Sequence, residues 1–216
     1  VKAPAALVAL MLIVPGMASA MCLCLRCVTG PYDRYTAASA DMRPTIEPGQ
    51  CMIFHTAPAP EEIAPGRVIA FTHPAADRQY VKRIVATAGQ TVALERGVIL
   101  IDGVPVSRRK TSDYHQSRAA DGPSDTLPRC DPSAARGETC AIPRFTETLG
   151  RAAYDVLDLG ETWLDDMPPV TVPRGHVFVL GDHRDNSMDS RQPLAAGGIG
   201  PVPVGNIRGV LDEIRE

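Results

Sequence analysis

The chain has 216 residues, of which 44% are hydrophobic and 22% charged, the balance of a folded globular domain rather than a disordered one. A net charge of −3 excludes the strongly basic surface of a nucleic-acid binder. Eighteen glycines and 20 prolines against 5% aromatics exclude a helical bundle and favour a turn-rich β protein.

In chain order, Ala3 to Leu25 carries no charged side chain. As a helix rising about 1.5 Å per residue this run reaches roughly 35 Å, enough to cross a bilayer core of about 30 Å. Two readings stay open. One is a transmembrane anchor over residues 3–27, with Tyr32 and Tyr35 at the interface. The other is a cleavable signal peptide with Lys2 as its charged end and Ala18-Ser19-Ala20 as its cleavage site. Either way the remaining chain lies at or outside a membrane. Cys22, Cys24 and Cys27, in this apolar setting, read as small hydrophobes rather than metal ligands, and Cys51 as a buried thiol. Cys130 and Cys140 flank a polar loop and read as a disulfide outside the cytoplasm.

Short apolar runs bounded by turn residues then follow one another. They are Cys51–Phe54, Val68–Phe71, Tyr80–Val85, Thr91–Leu94, Val98–Ile101, Val104–Val106, Tyr154–Leu157, Val177–Leu180 and Ile207–Ile214. Asp102-Gly103 is a two-residue hairpin signal, and Gly89-Gln90 a second turn. Residues 107–148 are polar with little periodicity. The expected organisation is a mainly antiparallel β core over 36–106 and 165–214, interrupted by a small inserted subdomain over 107–164 that carries the Cys130–Cys140 loop.

Three segments carry chemistry. The first is Asp41-Met42-Arg43-Pro44-Thr45-Ile46, a Pro-containing turn before the strand at Cys51. The second is Tyr80-Val81-Lys82-Arg83. On a strand Tyr80, Lys82, Ile84 and Ala86 share one face, so Lys82 has apolar neighbours. That suits a snorkelling lysine, or a desolvated one able to act as a base. The third runs from Gly181 to Arg191 and holds Asp182, Arg184, Asp185, Asn186, Ser187, Asp189 and Arg191. Such a group fits a network of charge-assisted hydrogen bonds stiffening a loop beside a site. The alternation Asp185, Ser187, Asp189 lacks the glycine and terminal glutamate of an EF-hand, so no metal and no cofactor is expected.

Together these segments resemble bacterial type I signal peptidase, the S26 peptidase family. The resembling residues are Met42-Arg43-Pro44-Thr45-Ile46, Gly66-Arg67-Val68-Ile69-Ala70-Phe71, Tyr80-Val81-Lys82-Arg83 with Gly89-Gln90-Thr91-Val92, and the 181–191 run with His183 in place of Asn. The resemblance implies an N-terminal membrane anchor, a β domain on the outer side of the inner membrane, and a Ser-Lys dyad acting on signal peptides of exported preproteins. Membrane lipid is the other implied partner, and nucleic acid is not one. Lys82 matches the general base. Ser187 matches the serine that orients that lysine, and Ser39 one that lines the oxyanion hole. Met42, Pro44, Arg83, Asp182, Arg184, Asp185, Asn186, Asp189 and Arg191 match the supporting network.

The nucleophile position holds Asp41 instead of serine. A carboxylate is a poor nucleophile toward an amide, and Asp41 beside Lys82 predicts an ion pair. Three chemistries remain open. The first is a homologue with peptidase activity lost or strongly reduced, still binding signal peptides. The second uses Ser39, the nearest hydroxyl. The third is a water molecule activated by the Asp41–Lys82 pair.

Overall fold

The computed structural model describes residues 22–119, 127, 129–130 and 134–215. Sixteen strands, one short α-helix, α1 (Arg26–Thr29), and four single-turn 3-10 helices lie within these residues. A seven-stranded antiparallel sheet forms the centre. Its spatial order is β1 (Tyr32–Thr36), β2 (Cys51–His55), β16 (Ile207–Arg215), β3 (Val68–Thr72), β4 (Gln79–Thr87), β14 (His176–Leu180) and β15 (Val202–Pro203). A second sheet of four strands runs β13 (Met167–Thr171), β5 (Thr91–Glu95), β6 (Val98–Ile101) and β7 (Val104–Pro105).

The apolar runs become strands because β-branched side chains fit both faces of these layers. Val85, Phe178 and Leu180 from the large sheet meet Val92, Leu94 and Ile99 from the second. On the opposite side Ile69, Phe71, Ile84, Val179 and Val210 form another buried cluster. Asp102 and Gly103 both take positive φ, 52° and 77°, and close the β6–β7 hairpin.

The segment that reads as polar and aperiodic is also built of strands. β8 (Ser107–Lys110), β11 (Arg144–Leu149) and β12 (Ala152–Leu157) make a three-stranded sheet, and β9 (Tyr114–Ser117) pairs with β10 (Thr139–Ile142). Arginine, serine and threonine on half-exposed strands leave no period-2 signal, which is why only the Tyr154 run is visible in the sequence. Cys130 and Cys140 are bonded across this region.

One expectation, for the cysteines, is corrected here, and another falls mostly outside the described residues. Residues 3–21 of the anchor lie outside the described residues, and 22–27 lead into a four-residue helix rather than a long one. No helix among the described residues is long and apolar enough to cross a membrane. The first four cysteines are neither free thiols nor mere apolar filler: Cys22 is bonded to Cys51 and Cys24 to Cys27, each pair with Cα atoms 5.3 Å apart. Strand β2 brings Cys51 beside a segment 29 residues away, a proximity no local pattern announces. Tyr32 and Tyr35 belong to β1, their rings against His55 and Phe54 at 5.3 and 5.6 Å.

Ala86 also leaves the face assigned to it. The β4–β14 ladder shifts register between Phe178 and Val179, so one residue of β4, Val85, is bulged. Beyond the bulge Ala86 joins the cluster of Val85 and Phe178, while Tyr80 packs on the cluster of Ile84.

Candidate active site

Residues 37–46 form a chain of turns between β1 and β2. Met42 and Ile46 are buried and anchor it on Met52, Phe54, Val68 and Ala70. The Arg43–Pro44 peptide bond is cis. Above this apolar floor lies a groove of about 290 Å³ lined by Ala37, Ala38, Ser39, Asp41, Tyr80 and Val81 among others.

Lys82, on β4, is fully buried and its Nζ contacts Asp41 Oδ2, while the Asp41 side chain is 20% exposed. The Lys82 ammonium also donates to the Val81 carbonyl at 3.0 Å. Ser39 Oγ donates to Asp41 Oδ1 at 2.8 Å. Asp41 therefore stands between the buried cation and the one hydroxyl nearest it in sequence. Lys82 does not snorkel; burial and an ionic partner hold it inside.

The 181–191 segment passes behind this turn. Its His183 amide donates to the Asp41 carbonyl at 3.1 Å, and its Asp182 carbonyl accepts from Leu157 at 2.8 Å. Gly181 is required by this close approach, since a Cβ there would stand 2.7 Å from the Asp41 carbonyl and still nearer the Ser187 side chain. Ser187 is buried in that contact. It makes no hydrogen bond to Lys82, whose ammonium goes to Asp41 and Val81 instead. The hydrogen bond expected between Ser187 and that ammonium is not formed.

Three arginine forks fix the segment. Arg83 bonds Asp182 at 2.8 and 2.6 Å, and Thr45 Oγ1 donates to the same carboxylate at 2.5 Å. Arg184 bonds Glu147 at 3.0 and 2.6 Å. Arg191 bonds Asp189 at 2.9 Å through each of two nitrogens, and the Gly181 amide adds a bond to Asp189 at 3.1 Å. The Arg191 guanidinium and these bonds hold the Asp189 carboxyl below its ordinary range against the opposing effect of burial. Asp185 accepts from the Leu159 amide at 2.6 Å, and burial pushes its carboxyl upward. Asn186 closes the turn through its amide on the His183 carbonyl at 3.0 Å. His183 is buried, and desolvation with the nearby Arg43 charge lowers it to about 4.

Residues 7–214 match the family model for signal peptidase, peptidase S26. The chain belongs to that family. Over 179 residues it is 30% identical to signal peptidase I of Aquifex aeolicus, covering 73% of this chain and 67% of that protein. Over 164 residues it is 24% identical to signal peptidase I T of Bacillus subtilis, covering 76% of this chain and 65% of that protein. The chain thus spans about two thirds of the length of these relatives. A signal peptidase I structure from Enterococcus faecalis aligns at 21% identity, covering 69% of this chain and 96% of that one with a TM-score of 0.37.

Several contributors to this network carry no mark in the sequence. Glu147, from the inserted strands, is the acid under Arg184, and Tyr154 stacks its ring 4.1 Å from the Arg83 guanidinium. Arg43 reaches Glu47 at 2.6 Å and Gln116 of β9 at 2.9 Å, while Tyr114 donates to Glu47 at 2.5 Å. Gln116 in turn donates to the Arg129 carbonyl at 2.8 Å, beside Cys130. No spacing marks these residues. Nor does the charge count of the 181–191 run, two arginines against three aspartates, ask for an acid from elsewhere.

Proposed function

We propose that this chain is a membrane-associated protein of signal peptidase type whose groove receives the signal-peptide ends of exported preproteins, and whose peptidase chemistry is held off by Asp41. The β domain then faces the outer side of the membrane, with residues 107–164 as an insertion into its core. The observation that carries this reading is the Asp41–Lys82 ion pair, whose Asp41 lines the groove. A neutral lysine beside a serine hydroxyl can take a proton as that oxygen attacks; an ammonium held by a carboxylate cannot. Lys82 is the base position, Asp41 the nucleophile position, and the arginine forks supply the frame.

The test is cleavage of a preprotein with an Ala-x-Ala site, in detergent, by the native chain, by Asp41→Ser and by Asp41→Ser/Lys82→Ala. The expected result is cleavage by Asp41→Ser alone. A folded Asp41→Ser chain that does not cut refutes the reading.

A second reading has one observation in its favour, the 2.8 Å hydrogen bond from Ser39 to Asp41. Here Ser39 attacks and Asp41 takes its proton. Cleavage by the native chain that is lost in Ser39→Ala would establish it. A displacement of about 1 Å in a nucleophile can cost roughly a hundredfold, so native turnover would be slow.

A further inference from the structure

Three aspartates meet where the insertion returns to the β core. Asp158 follows β12, Asp165 precedes β13, and Asp185 comes from the 181–191 segment. They are 7%, 3% and 4% exposed. One carboxylate oxygen of each lies within 4.8 Å of the other two. That spread fits oxygens around a single ion held at the Ca²⁺ distance of about 2.4 Å. Of the 181–191 run only Asp185 takes part, since Asp189 is engaged by Arg191.

The partners of each oxygen show what is missing. Asp158 pairs with Arg108 at 2.5 Å and accepts from the Gly160 amide at 2.9 Å. Asp165 Oδ2 accepts from the Thr162 amide at 2.5 Å, and Asp185 Oδ2 from the Leu159 amide at 2.6 Å. The Oδ1 atoms of Asp165 and Asp185 are buried with no hydrogen-bond partner. The other cation near them is Arg191, whose charge is matched by its fork on Asp189 and whose free Nη1 bonds neither aspartate. With Arg108 neutralising Asp158, two buried carboxylates are left over, the charge of one divalent cation. Buried charges are paired or bind metal. Burial, with the Asp158 charge, pushes both carboxyls upward, as expected of anions short of a positive partner. There is also room. A Cβ on Gly97 would stand 2.9 Å from Asp158 Oδ2, 3.0 Å from Arg108 Nη1 and 3.7 Å from Asp165 Oδ1, and the bare glycine leaves that space open. A cavity of about 600 Å³ reaches Asp158 and Asp165 from outside, and one of about 370 Å³ reaches Asp185.

We propose that Asp158, Asp165 and Asp185 bind one Ca²⁺-class cation, with water completing its shell. Hard carboxylate oxygens select such an ion over a soft one. Asp158 shares its carboxylate between Arg108 and the ion, which its lone pairs allow. The ion ties residues 158–165 of the insertion to the 181–191 segment, whose His183 amide holds the Asp41 carbonyl. Its work is structural, and no step of peptide cleavage runs through it. This proposal does not depend on the peptidase reading.

The test uses the full chain in detergent, stripped with a chelator, dialysed and titrated with Tb³⁺ as the luminescent stand-in for Ca²⁺. Trp163 is the single tryptophan of the chain and stands two residues from Asp165, close enough to sensitise the ion. One equivalent of Tb³⁺ is expected to give tryptophan-excited emission, and Ca²⁺ to remove it by displacement. Asp165→Asn and Asp185→Asn should each weaken binding by about tenfold or more, while Asp166→Asn, at an exposed neighbour, should leave it unchanged. In parallel, excess Ca²⁺ should raise the melting temperature of the native chain, a readout that needs no variant. Absence of saturable emission overturns the proposal. So does a melting temperature unmoved by Ca²⁺, the result expected if the carboxyls share a proton instead. An affinity lowered equally by Asp165→Asn and Asp166→Asn overturns it as well.

Discussion

Two kinds of buried ion pair stand within a few residues of each other, and they are built differently. The pairs Arg83–Asp182, Arg184–Glu147 and Arg191–Asp189 are forked, with two nitrogens of a planar guanidinium on each carboxyl group. The Lys82–Asp41 pair is a single contact from a flexible ammonium to a carboxylate that solvent reaches. A fork fixes distance and plane together; a point contact fixes neither. The frame behind the groove is therefore specified independently of the residue at position 41. Such a frame can keep its shape whichever side chain stands at position 41.

The comparison breaks most visibly at the forks. Glu147→Ala leaves Arg184 charged and buried without its partner, and should cost about 3–5 kcal/mol of stability in urea unfolding. A loss below about 1 kcal/mol would mean that Arg184 is not sealed in by this pair.

His183 gives the next effect, through pH. Its folded value is lowered to about 4 from the ordinary 6.5, so between these values the unfolded chain binds the proton that the folded chain rejects. The sign is fixed by that inequality. Stability from this group is fully present above about pH 6.5 and is lost as pH falls toward 4, on the order of 3 kcal/mol in all. Asp165 and Asp185, raised by burial, act in the opposite direction at acid pH. His183→Asn, compared with the parent across pH 4–7, should flatten the histidine contribution and leave theirs. Parallel curves would remove His183 from the pH response.

A smaller change is expected outside the network. Cys130→Ser/Cys140→Ser opens a loop of sequence separation 10 and should cost about 2–3 kcal/mol on the chain-entropy estimate, read as a lower melting temperature. The smallest belongs to the groove itself. Ser39→Ala removes one exposed hydrogen bond to Asp41 and should cost about 1 kcal/mol or less. A much larger loss would show that position 41 is as rigidly specified as the forks.

Most strands of the β core were legible in the sequence, because runs such as Val68–Phe71 and Val177–Leu180 are apolar on both faces and end at turn residues. β8 and β11 were not, because their side chains are polar and half-exposed, and what makes them strands is pairing with each other. The motif residues around Lys82 and Asp182 could be named from their resemblance, yet their partners could not. Nothing local says that Glu147, rather than another acid, closes on Arg184. Ala86 was misassigned for a related reason: period-2 counting holds only until a bulge, and the bulge depends on the neighbouring strand.

The links from Cys130 through Gln116 and Arg43 to Glu47 and Tyr114 give the turn carrying residue 41 an external brace. In mechanical terms the turn is a cantilever propped at its far end by the insertion, not a hinge free to find its own angle. Whatever residue stands at position 41 inherits its aim from a hairpin more than 70 residues downstream. Grafting that turn alone onto another β sheet would carry the letters of the motif and lose its direction.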